Sequence, residues 1–318
     1  MKIFITRKIQ PIAKELLEKE GFKVSVFNKN RPITKEELLN KAKDADAIIS
    51  LLTEKFDKDV IDRLPKCKII ANFAVGYNNI DVAYANQKGI IVTNTPDVLT
   101  EATAETAVSL ILACAKRIPE VDKYVRENKF KGWQPDLFIG VELKNKTVGI
   151  VGAGRIGYET AKRIKAFGTK IIYYNRSKKD NFEKELNAKK VSLNKLLKTS
   201  DIISLHIPLT PETHHLLDKE KLDLLKPTAI LVNTARGEVV DEKYLIKILR
   251  KKKIFSAGFD VYENEPNLNK DLFSLKNVVL LPHIGSATNE SRSAIAELAA
   301  KNVIRVLKGK KPITPVEI

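Results

Sequence analysis

The sequence has 318 residues and a formal net charge of +17, because 56 Lys and Arg residues outnumber 39 Asp and Glu residues. Its length predicts two domains, and no apolar run reaches the roughly 18 residues that a membrane-spanning helix needs. The lysines are scattered among glutamates, no basic block with interleaved aromatic residues occurs, and the short basic run at residues 250–253 reads as a solvated helix end, which argues against a nucleic-acid partner. Residues 1–6 have a strand pattern rather than that of a signal peptide, so we expect a cytoplasmic protein without a membrane partner.

The first hundred residues alternate between strand and helix patterns. The strand patterns occupy residues 2–6, 22–27, 47–51, 67–75 and 90–93. Between them, Pro11 fits a first helical turn, Thr34 and Glu37 form a capping-box pattern, and Asp81 is a good N-cap residue. This alternation is typical of a parallel, doubly wound sheet.

An alanine-rich segment at residues 100–117 separates this series from a second one. The segment is long and almost free of charge, which predicts a buried connecting helix, and a further helix pattern extends to about residue 129. The second series has strand patterns that begin at Thr147 and continue at residues 170–174, 202–205, 229–232, 255–259 and 278–281. Residues 287–307 form an amphipathic helix pattern, which by itself leaves open the domain that this helix joins.

A glycine-rich turn follows the strand pattern that begins at Thr147. Its glycines are Gly152, Gly154 and Gly157, and a helix pattern leaves the turn. Gly152 permits the turn, Gly154 lets backbone amides approach a pyrophosphate, and Gly157 lets the helix pack against the strand. The free N–H groups at the helix N-terminus favour an anion. The pattern predicts a dinucleotide cofactor, with a purely structural turn as the alternative.

The next strand pattern ends in Asn175, Arg176 and Ser177. NAD-binding domains usually have a carboxylate near this point that binds the adenosine ribose, and such a group would repel the 2'-phosphate of NADP. Arg176 can instead pair with that phosphate, and Asn175 or Ser177 can hydrogen-bond to it. We therefore predict a preference for NADP(H), with a surface arginine beside an NAD site as the alternative.

Three later strand patterns are followed by residues suited to the reduction of a carbonyl group, namely Arg236, Glu265 and His283. This reaction needs an acid that protonates the developing alkoxide and a cation that holds a neighbouring carboxylate. His283 suits the first task with Glu265 as its partner, and Arg236 suits the second. Each residue type is often structural when it occurs alone. Here, however, all three follow strands, and the carboxyl ends of parallel strands meet at one edge of a sheet. Their shared placement therefore favours a functional role over a structural one.

The remaining histidines and the two cysteines give weaker signals. His206 ends a strand pattern, where it either borders the adenine or is an ordinary loop residue. His214 and His215 open a helix pattern without acidic or cysteine partners at metal-binding spacing. Cys67 and Cys114 lie in apolar contexts far apart in the sequence. We therefore predict buried thiols and no metal.

Six segments in this order resemble the D-isomer-specific 2-hydroxyacid dehydrogenases over nearly the full chain. They are residues 74–81 (AVGYNNID), 151–157 (VGAGRIG), 206–213 (HIPLTPET), 233–242 (NTARGEVVDE), 260–266 (DVYENEP) and 282–286 (PHIGS). The resemblance implies an α/β protein with two doubly wound parallel-sheet domains. One is a discontinuous, flavodoxin-like substrate domain of residues 1–99 and 288–318, and the other is a Rossmann dinucleotide-binding domain of residues 100–287.

The resemblance also implies roles for individual residues. Arg236 would orient the substrate carboxylate, His283 would be the acid–base group, and Glu265 would be its partner. Backbone N–H groups of Val75 and Gly76 would bind the same carboxylate. Besides the glycines and residues 175–177, the residues implied along the cofactor are Thr106, Arg155, Ile156, His206, Pro208, Thr213, Thr234, Asp260 and Gly285.

Within the family, residues 132–135 (GWQP) and 173–177 (YYNRS) look most like glyoxylate/hydroxypyruvate reductases. Leu52 lies in an apolar segment near the implied substrate pocket, which lacks a cation for a phosphorylated substrate, so a small 2-keto acid fits better. Trp133 would either reach the partner subunit's site, as in relatives, or be a buried anchor of its own loop. A homodimer is the family expectation.

We therefore predict an NADPH-preferring reductase that converts glyoxylate or hydroxypyruvate to the D-2-hydroxy acid, glycolate or D-glycerate. The nearest alternative is a D-lactate-type or broad 2-keto acid reductase that uses NAD(H). A third possibility is a non-catalytic, dinucleotide-sensing binding protein like the corepressors built on this fold, and the short segment after the last helix pattern argues against it.

Overall fold

The structure, a computed structural model, describes residues 1–317 and divides into two compact units. The first unit comprises Met1–Leu99 together with the chain from Ser286 onward, and the second comprises Thr100–Gly285. The first division therefore falls where the alanine-rich helix was expected to begin. The second falls at Ser286 rather than at residue 288.

The first unit contains one parallel sheet with the strand order β2-β1-β3-β4-β5. Its strands are β1 (Lys2–Ile5), β2 (Lys23–Val26), β3 (Ala47–Ser50), β4 (Ile69–Asn72) and β5 (Ile91–Thr93). Its helices, numbered along the whole chain, are α1 (Ile12–Lys19), α2 (Lys35–Ala42), α3 (Lys58–Asp62), α4 (Val82–Gln87) and α12 (Asn289–Leu307). This strand order is that of flavodoxin-like folds, and the last helix packs in this unit against α1, β3 and β4.

The second unit has seven parallel strands in the order β12-β11-β10-β9-β6-β7-β8. The strands are β6 (Thr147–Val151), β7 (Lys170–Tyr174), β8 (Lys189–Lys190), β9 (Ile202–Leu205), β10 (Ile230–Asn233), β11 (Ser256–Phe259) and β12 (Val278–Leu280). The helices are α5 (Thr100–Lys116), α6 (Ile118–Arg126), α7 (Arg155–Lys165), α8 (Asp180–Leu186), α9 (Leu193–Thr199), α10 (Lys219–Leu222) and α11 (Glu242–Arg250). This is the Rossmann order extended by one strand, so the predicted fold class of two doubly wound sheets is confirmed.

Local signals in the sequence account for several element boundaries. The predicted capping box is present, because Thr34 Oγ1 accepts the Glu37 N–H at 3.2 Å and Glu37 Oε2 accepts the Thr34 N–H at 3.1 Å. The strand expected at residues 67–75 is wrong in length, since only Ile69–Asn72 pairs with its neighbours. Residues 73–75 leave the sheet and begin a loop, although they are as apolar as the strand before them.

The interior of each unit is formed by the buried strands and by the helix faces that cover them. Cys67 and Cys114 belong to these cores as free, buried thiols, as predicted. Burial raises the pKa of each thiol to about 12, so neither is a reactive thiolate near neutrality. Across residues 1–317, none of the helices combines the length and the apolar character needed to cross a bilayer.

Close backbone packing at the glycine turn determines where α7 begins. Gly152 has a φ of +99°, and a Cβ there would lie 2.4 Å from the carbonyl oxygen of His206. A Cβ on Gly157 would lie 2.1 Å from the carbonyl oxygen of Gly152, so α7 can approach the end of β6 only with glycine at this position. Gly154 is different, because its backbone is extended and a Cβ added to it would meet no atom within 4 Å.

We predict that Gly157→Ala destabilises the protein whereas Gly154→Ala does not. The added methyl group at residue 157 meets backbone that cannot move aside, which costs about 1–3 kcal/mol. The methyl group at residue 154 extends into open space, so its effect should stay within about 0.5 kcal/mol. Urea unfolding of the two variants and the wild type measures this difference, and equal midpoints for all three proteins would contradict the packing argument.

Candidate functional site

The glycine turn lies where the strand order of the second sheet reverses, between the carboxyl ends of β6 and β9. The Gly152 N–H donates to the carbonyl oxygen of Tyr174 at 2.9 Å, and the Ala153 N–H donates to Asn175 Oδ1 at 3.3 Å. The Asn175 amide in turn donates to the Ser177 carbonyl oxygen at 3.1 Å. The turn and the segment after β7 are therefore held side by side, at the position where doubly wound sheets bind ligands.

Charged residues of both signs lie near the end of β7. Arg176 is exposed, and Lys190 Nζ donates to its carbonyl oxygen at 3.0 Å. The pKa of Glu212 is lowered, mainly by a hydrogen bond from Thr210 and by its own backbone, and also by the charge of Arg176. Sequence reasoning missed Glu212, because it lies in the loop after β9 and far from Arg176 in the chain.

The loop after β9 is fixed by its own side chains. Thr213 Oγ1 donates to the Pro208 carbonyl oxygen at 2.7 Å and accepts the Thr210 N–H at 2.7 Å. His206 Nε2 lies 2.8 Å from Ser204 Oγ, and burial lowers the pKa of the His206 ring to about 3. His206 is therefore neutral at physiological pH and is unsuited to exchange protons there.

Observations in this unit fit a dinucleotide. The open space beside Gly154 faces the N-terminus of α7, where backbone N–H groups lack helical partners. Thr234 Oγ1 is buried and has no hydrogen-bond partner among residues 1–317, so it can take a polar ligand atom. Thr106 Oγ1 donates to the Ala102 carbonyl oxygen at 3.0 Å and lies 3.4 Å from that of Gly285.

The structure brings His283 and Glu265 together as the sequence predicted. His283 Nδ1 lies 2.8 Å from Glu265 Oε2, and Glu265 Oε1 accepts the Tyr262 N–H at 2.8 Å. Asp260 accepts the N–H groups of both residues that follow His283 in the chain, each at 2.7 Å. The Nδ1 bond determines the direction of the ring and leaves Nε2 as the nitrogen available to a ligand.

Burial and the neighbouring charges shift the pKa of Glu265 in opposite directions. Burial is the largest single influence and raises its pKa, but the hydrogen bond and charge of His283, the Tyr262 N–H and the charge of Arg236 outweigh it. The net pKa of Glu265 is therefore lowered from its ordinary value. Burial lowers the pKa of Arg236, partly offset by Glu265 and Glu238, but a guanidinium remains charged at physiological pH.

The segment that carries Arg236 packs directly on the segment that carries Glu265. Asn233 stabilises the turn, since its amide donates to the Arg236 carbonyl oxygen at 2.8 Å and its Oδ1 accepts the Ala235 N–H at 3.0 Å. A Cβ on Gly237 would lie 1.9 Å from the carbonyl carbon of Tyr262. Gly237 is thus needed for this contact. The contact holds Arg236 close enough for its charge to act on Glu265.

The expectation for His214 and His215 is wrong in two respects. They lie in a turn at residues 211–215 rather than at the start of a helix, which begins only at Lys219. Glu263 also reaches them, since its Oε1 lies 3.0 Å from His215 Nε2, and one nitrogen of His214 lies within 4.8 Å of both groups. The acidic neighbour was missed because it comes from the next strand but one along the chain.

The other predicted residues lie outside this cluster. Leu52 and the pair Val75 and Gly76 belong to the first unit, in the loops that follow β3 and β4. Trp133 belongs to the second unit, and 84% of its surface is exposed. The alternative that Trp133 is a buried anchor of its own loop is therefore wrong for this chain.

A dinucleotide-binding oxidoreductase is the class that this fold and these groups define. Residues 108–285 match the family model for the NAD-binding domain of D-isomer-specific 2-hydroxyacid dehydrogenases. The chain is 51% identical to a glyoxylate reductase of Thermococcus litoralis over 98% of this chain and 95% of the relative. It is likewise 51% identical to a glyoxylate reductase of Pyrococcus furiosus, over 99% of this chain and 95% of that relative.

The chain is also similar to a reductase of known structure. An NADPH-dependent glyoxylate/hydroxypyruvate reductase from Sinorhizobium meliloti, in complex with NADP and malonate, has a TM-score of 0.87 and 33% identity. The similarity covers 99% of this chain and 96% of that chain. The protein belongs to the D-isomer-specific 2-hydroxyacid dehydrogenase family.

We predict that the stability lost in Glu265→Gln depends on pH. Because the folded state lowers the pKa of Glu265, its carboxylate stabilises the protein above about pH 4.5, and this contribution disappears as the pH falls through the lowered value. The difference in unfolding free energy between wild type and variant should therefore be largest near pH 6 and shrink towards about pH 3. Urea unfolding across this range measures it, with the exposed Glu290→Gln as a control that should change little. A difference that is constant with pH would contradict the assignment.

Proposed function

We propose that this protein reduces glyoxylate or hydroxypyruvate to the corresponding D-2-hydroxy acid, with NADPH as the reductant. The observation that carries the proposal is the bond of 2.8 Å between His283 and Glu265, with the charge of Arg236 acting on the same carboxylate. An acid held by a carboxylate, beside a cation, is what the reduction of a 2-keto acid requires. The glyoxylate reductases at about half identity support the choice of substrate.

The cofactor would be held by groups that the second unit already orients. The pyrophosphate would lie at Gly154 and the N-terminus of α7, and Thr106, Thr234 and Gly285 would lie further along the molecule. When bound, the nicotinamide supplies the hydride for the substrate carbonyl carbon.

Three residues of this chain would then bind the substrate carboxylate, donate a proton and orient the proton donor. The Arg236 guanidinium pairs with the substrate carboxylate, which orients the neighbouring carbonyl group. His283 Nε2 gives its proton to the carbonyl oxygen as negative charge develops there. The Glu265 carboxylate, ionised at neutral pH, holds the ring through Nδ1 and leaves Nε2 for the substrate.

The preference for NADPH is supported by the cationic end of β7. Arg176 is exposed and can turn to a 2'-phosphate, and Lys190 contacts its backbone. Asn175 is fixed by its bond to the turn, and none of residues 175–177 carries a negative charge. Glu212 is the neighbouring carboxylate, and the charge of Arg176 offsets it. Arg176 thus both attracts a phosphate and screens the acidic group that would repel one.

We predict that Arg176→Ala raises the KM for NADPH about tenfold or more and changes the KM for NADH less than about twofold. The variant loses a charge-assisted bond to the phosphate and leaves the charge of Glu212 uncompensated. Initial rates with each cofactor at saturating glyoxylate provide the measurement. Lys189→Ala removes an exposed cation from the adjacent strand β8 and serves as the matched control. Equal effects of Arg176→Ala on both cofactors would refute the phosphate assignment.

The proposed reaction is tested by following NADPH oxidation with glyoxylate, hydroxypyruvate and pyruvate. We expect kcat/KM for glyoxylate or hydroxypyruvate to exceed that for pyruvate clearly. His283→Gln should lower kcat about 100-fold or more, because the general acid is lost, while NADPH fluorescence should still report cofactor binding. Equal or better efficiency with pyruvate would favour a D-lactate-type reductase. Cofactor binding without turnover of any keto acid in the wild type would favour a sensing protein.

A homodimer is part of the proposal. Helix α6 has no buried residue in this chain although it carries apolar side chains, and Ile118 and Val125 are about half exposed. Trp133 and Ile139, in the segment that follows α6, are also exposed apolar residues, at 84% and 61% exposure. A second copy of the chain would cover these side chains. We propose the cytoplasm as its location, where the free thiols Cys67 and Cys114 remain reduced.

A further inference from the structure

Three consecutive peptide carbonyls in the loop after β4 are held by donors from the first unit. The Ala74 oxygen accepts the Thr95 N–H at 2.9 Å. The Val75 oxygen accepts from the Asn94 side-chain amide at 2.9 Å, and the Gly76 oxygen accepts from the Asn72 side-chain amide at 2.7 Å. Each of the three peptide planes is thereby fixed on its carbonyl side.

The opposite sides of these planes carry the N–H groups of Val75, Gly76 and Tyr77. In a trans peptide the C=O and N–H point in opposite directions, and these three bonds are trans. The N–H groups therefore point away from Thr95, and from the amides that hold the loop. Among the residues that the structure describes, none accepts a hydrogen bond from any of the three. N–H groups without a protein acceptor are able to donate to an anionic ligand.

The Asn72 amide is itself rigidly held. Asn72 is the last residue of β4 and is fully buried. Its Oδ1 accepts the hydroxyl of Ser50, the last residue of β3, at 3.1 Å. The Gly76 carbonyl oxygen can only accept a hydrogen bond, so the amide nitrogen faces it and the amide oxygen is left for the Ser50 hydroxyl.

The backbone of Asn94 is held by the C-terminal part of the first unit. The Asn94 N–H donates to the Thr314 carbonyl oxygen at 3.3 Å, and the Thr314 hydroxyl donates back to the Asn94 carbonyl oxygen at 2.6 Å. Asn302, buried on α12, donates to the same hydroxyl at 2.8 Å. Thr314 thus fixes the backbone of Asn94, while the Asn94 side chain reaches Val75.

We propose that Asn72 and Asn94 are positioning residues for the substrate carboxylate, and that the Tyr77 N–H is a third backbone donor beside those of Val75 and Gly76. This inference rests on the proposed function, which supplies the carboxylate. The two side chains never touch the substrate, and they act by fixing the planes of the peptides whose N–H groups do. Neutral amides suit this task, because they donate to a carbonyl without adding a charge that would compete for the anion.

The test compares Asn94→Ala and Asn72→Ala with the wild type. We expect the KM for glyoxylate, and the dissociation constant of the non-reducible carboxylate oxalate in the presence of NADPH, to rise about three- to tenfold in each variant. We expect kcat and the KM for NADPH to stay within about twofold, because the acid and the cofactor groups are unaltered. Initial rates and titration calorimetry provide these values.

The matched control is Asn277→Ala in the second unit. Its amide also donates to backbone carbonyls, those of Leu249 at 3.2 Å and Phe255 at 3.4 Å, but it lies far along the chain from the loop after β4. This variant should leave the KM for glyoxylate and the oxalate affinity unchanged. If an alanine variant fails to fold, the isosteric Asn94→Asp and Asn72→Asp replace it, and each should weaken oxalate binding because a carboxylate repels the carbonyl it faces.

The inference would be overturned if oxalate affinity and the KM for glyoxylate stayed at wild-type values in folded variants. A lower thermal midpoint with unchanged affinity would likewise overturn it, because that pattern indicates a purely structural role. Failure of the proposed function gives a separate result, namely a wild type that reduces none of the keto acids. Oxalate binding needs no turnover, so a loss of oxalate affinity in the variants would support the inference even then.

Discussion

The approach of helix α7 to the end of strand β6 is the contact on which the second unit depends. The distance is so short that the helix residue facing the Gly152 carbonyl has to be glycine, and Gly157 is that residue. The contact brings the positive end of the helix to the edge where all seven parallel strands end. A side chain there would displace the helix and, with it, the N–H groups that face the open space beside Gly154.

The backbone is also closely packed around His283 and Glu265. The chain after Arg236 lies against the chain at Tyr262, and the residues after His283 are bonded to Asp260. Arg236, Glu265 and His283 therefore depend on one another through backbone packing as well as through charge. Because Glu265 is partly buried, its ionisation depends on these neighbours, and its lowered pKa reflects their combined effect over that of burial.

Much of this arrangement could be predicted from the sequence, because it depends on patterns that act over short distances. The capping box at Thr34, the glycine turn and the strand ends before His283 and Arg236 are local signals. The fold class followed from their alternation. The length of β4 could not be predicted, since residues 73–75 are apolar for a reason other than pairing in a sheet.

All but one of the contacts that sequence reasoning missed join segments distant in the chain, and the exception is Asn72, which reaches Gly76 only four residues further on. Glu212 beside Arg176, Glu263 beside His215, and the amides of Asn72 and Asn94 on the loop after β4 have no local signature. Asn residues at strand ends are common in turns, so their type alone predicts a turn rather than a support. Only the three-dimensional register of neighbouring strands shows which carbonyl each amide reaches.

The discontinuity of the first unit has a consequence for the order in which the protein is made. Helix α12 packs on α1, β3 and β4, and Val316 donates its N–H to the Val92 carbonyl oxygen. All residues of the second unit, Thr100–Gly285, lie between these parts of the first. During synthesis the second unit is therefore complete on the ribosome while the first still lacks a helix from its core. The half that carries the glycine turn can fold first, and the half that carries Asn94 must wait for Thr314.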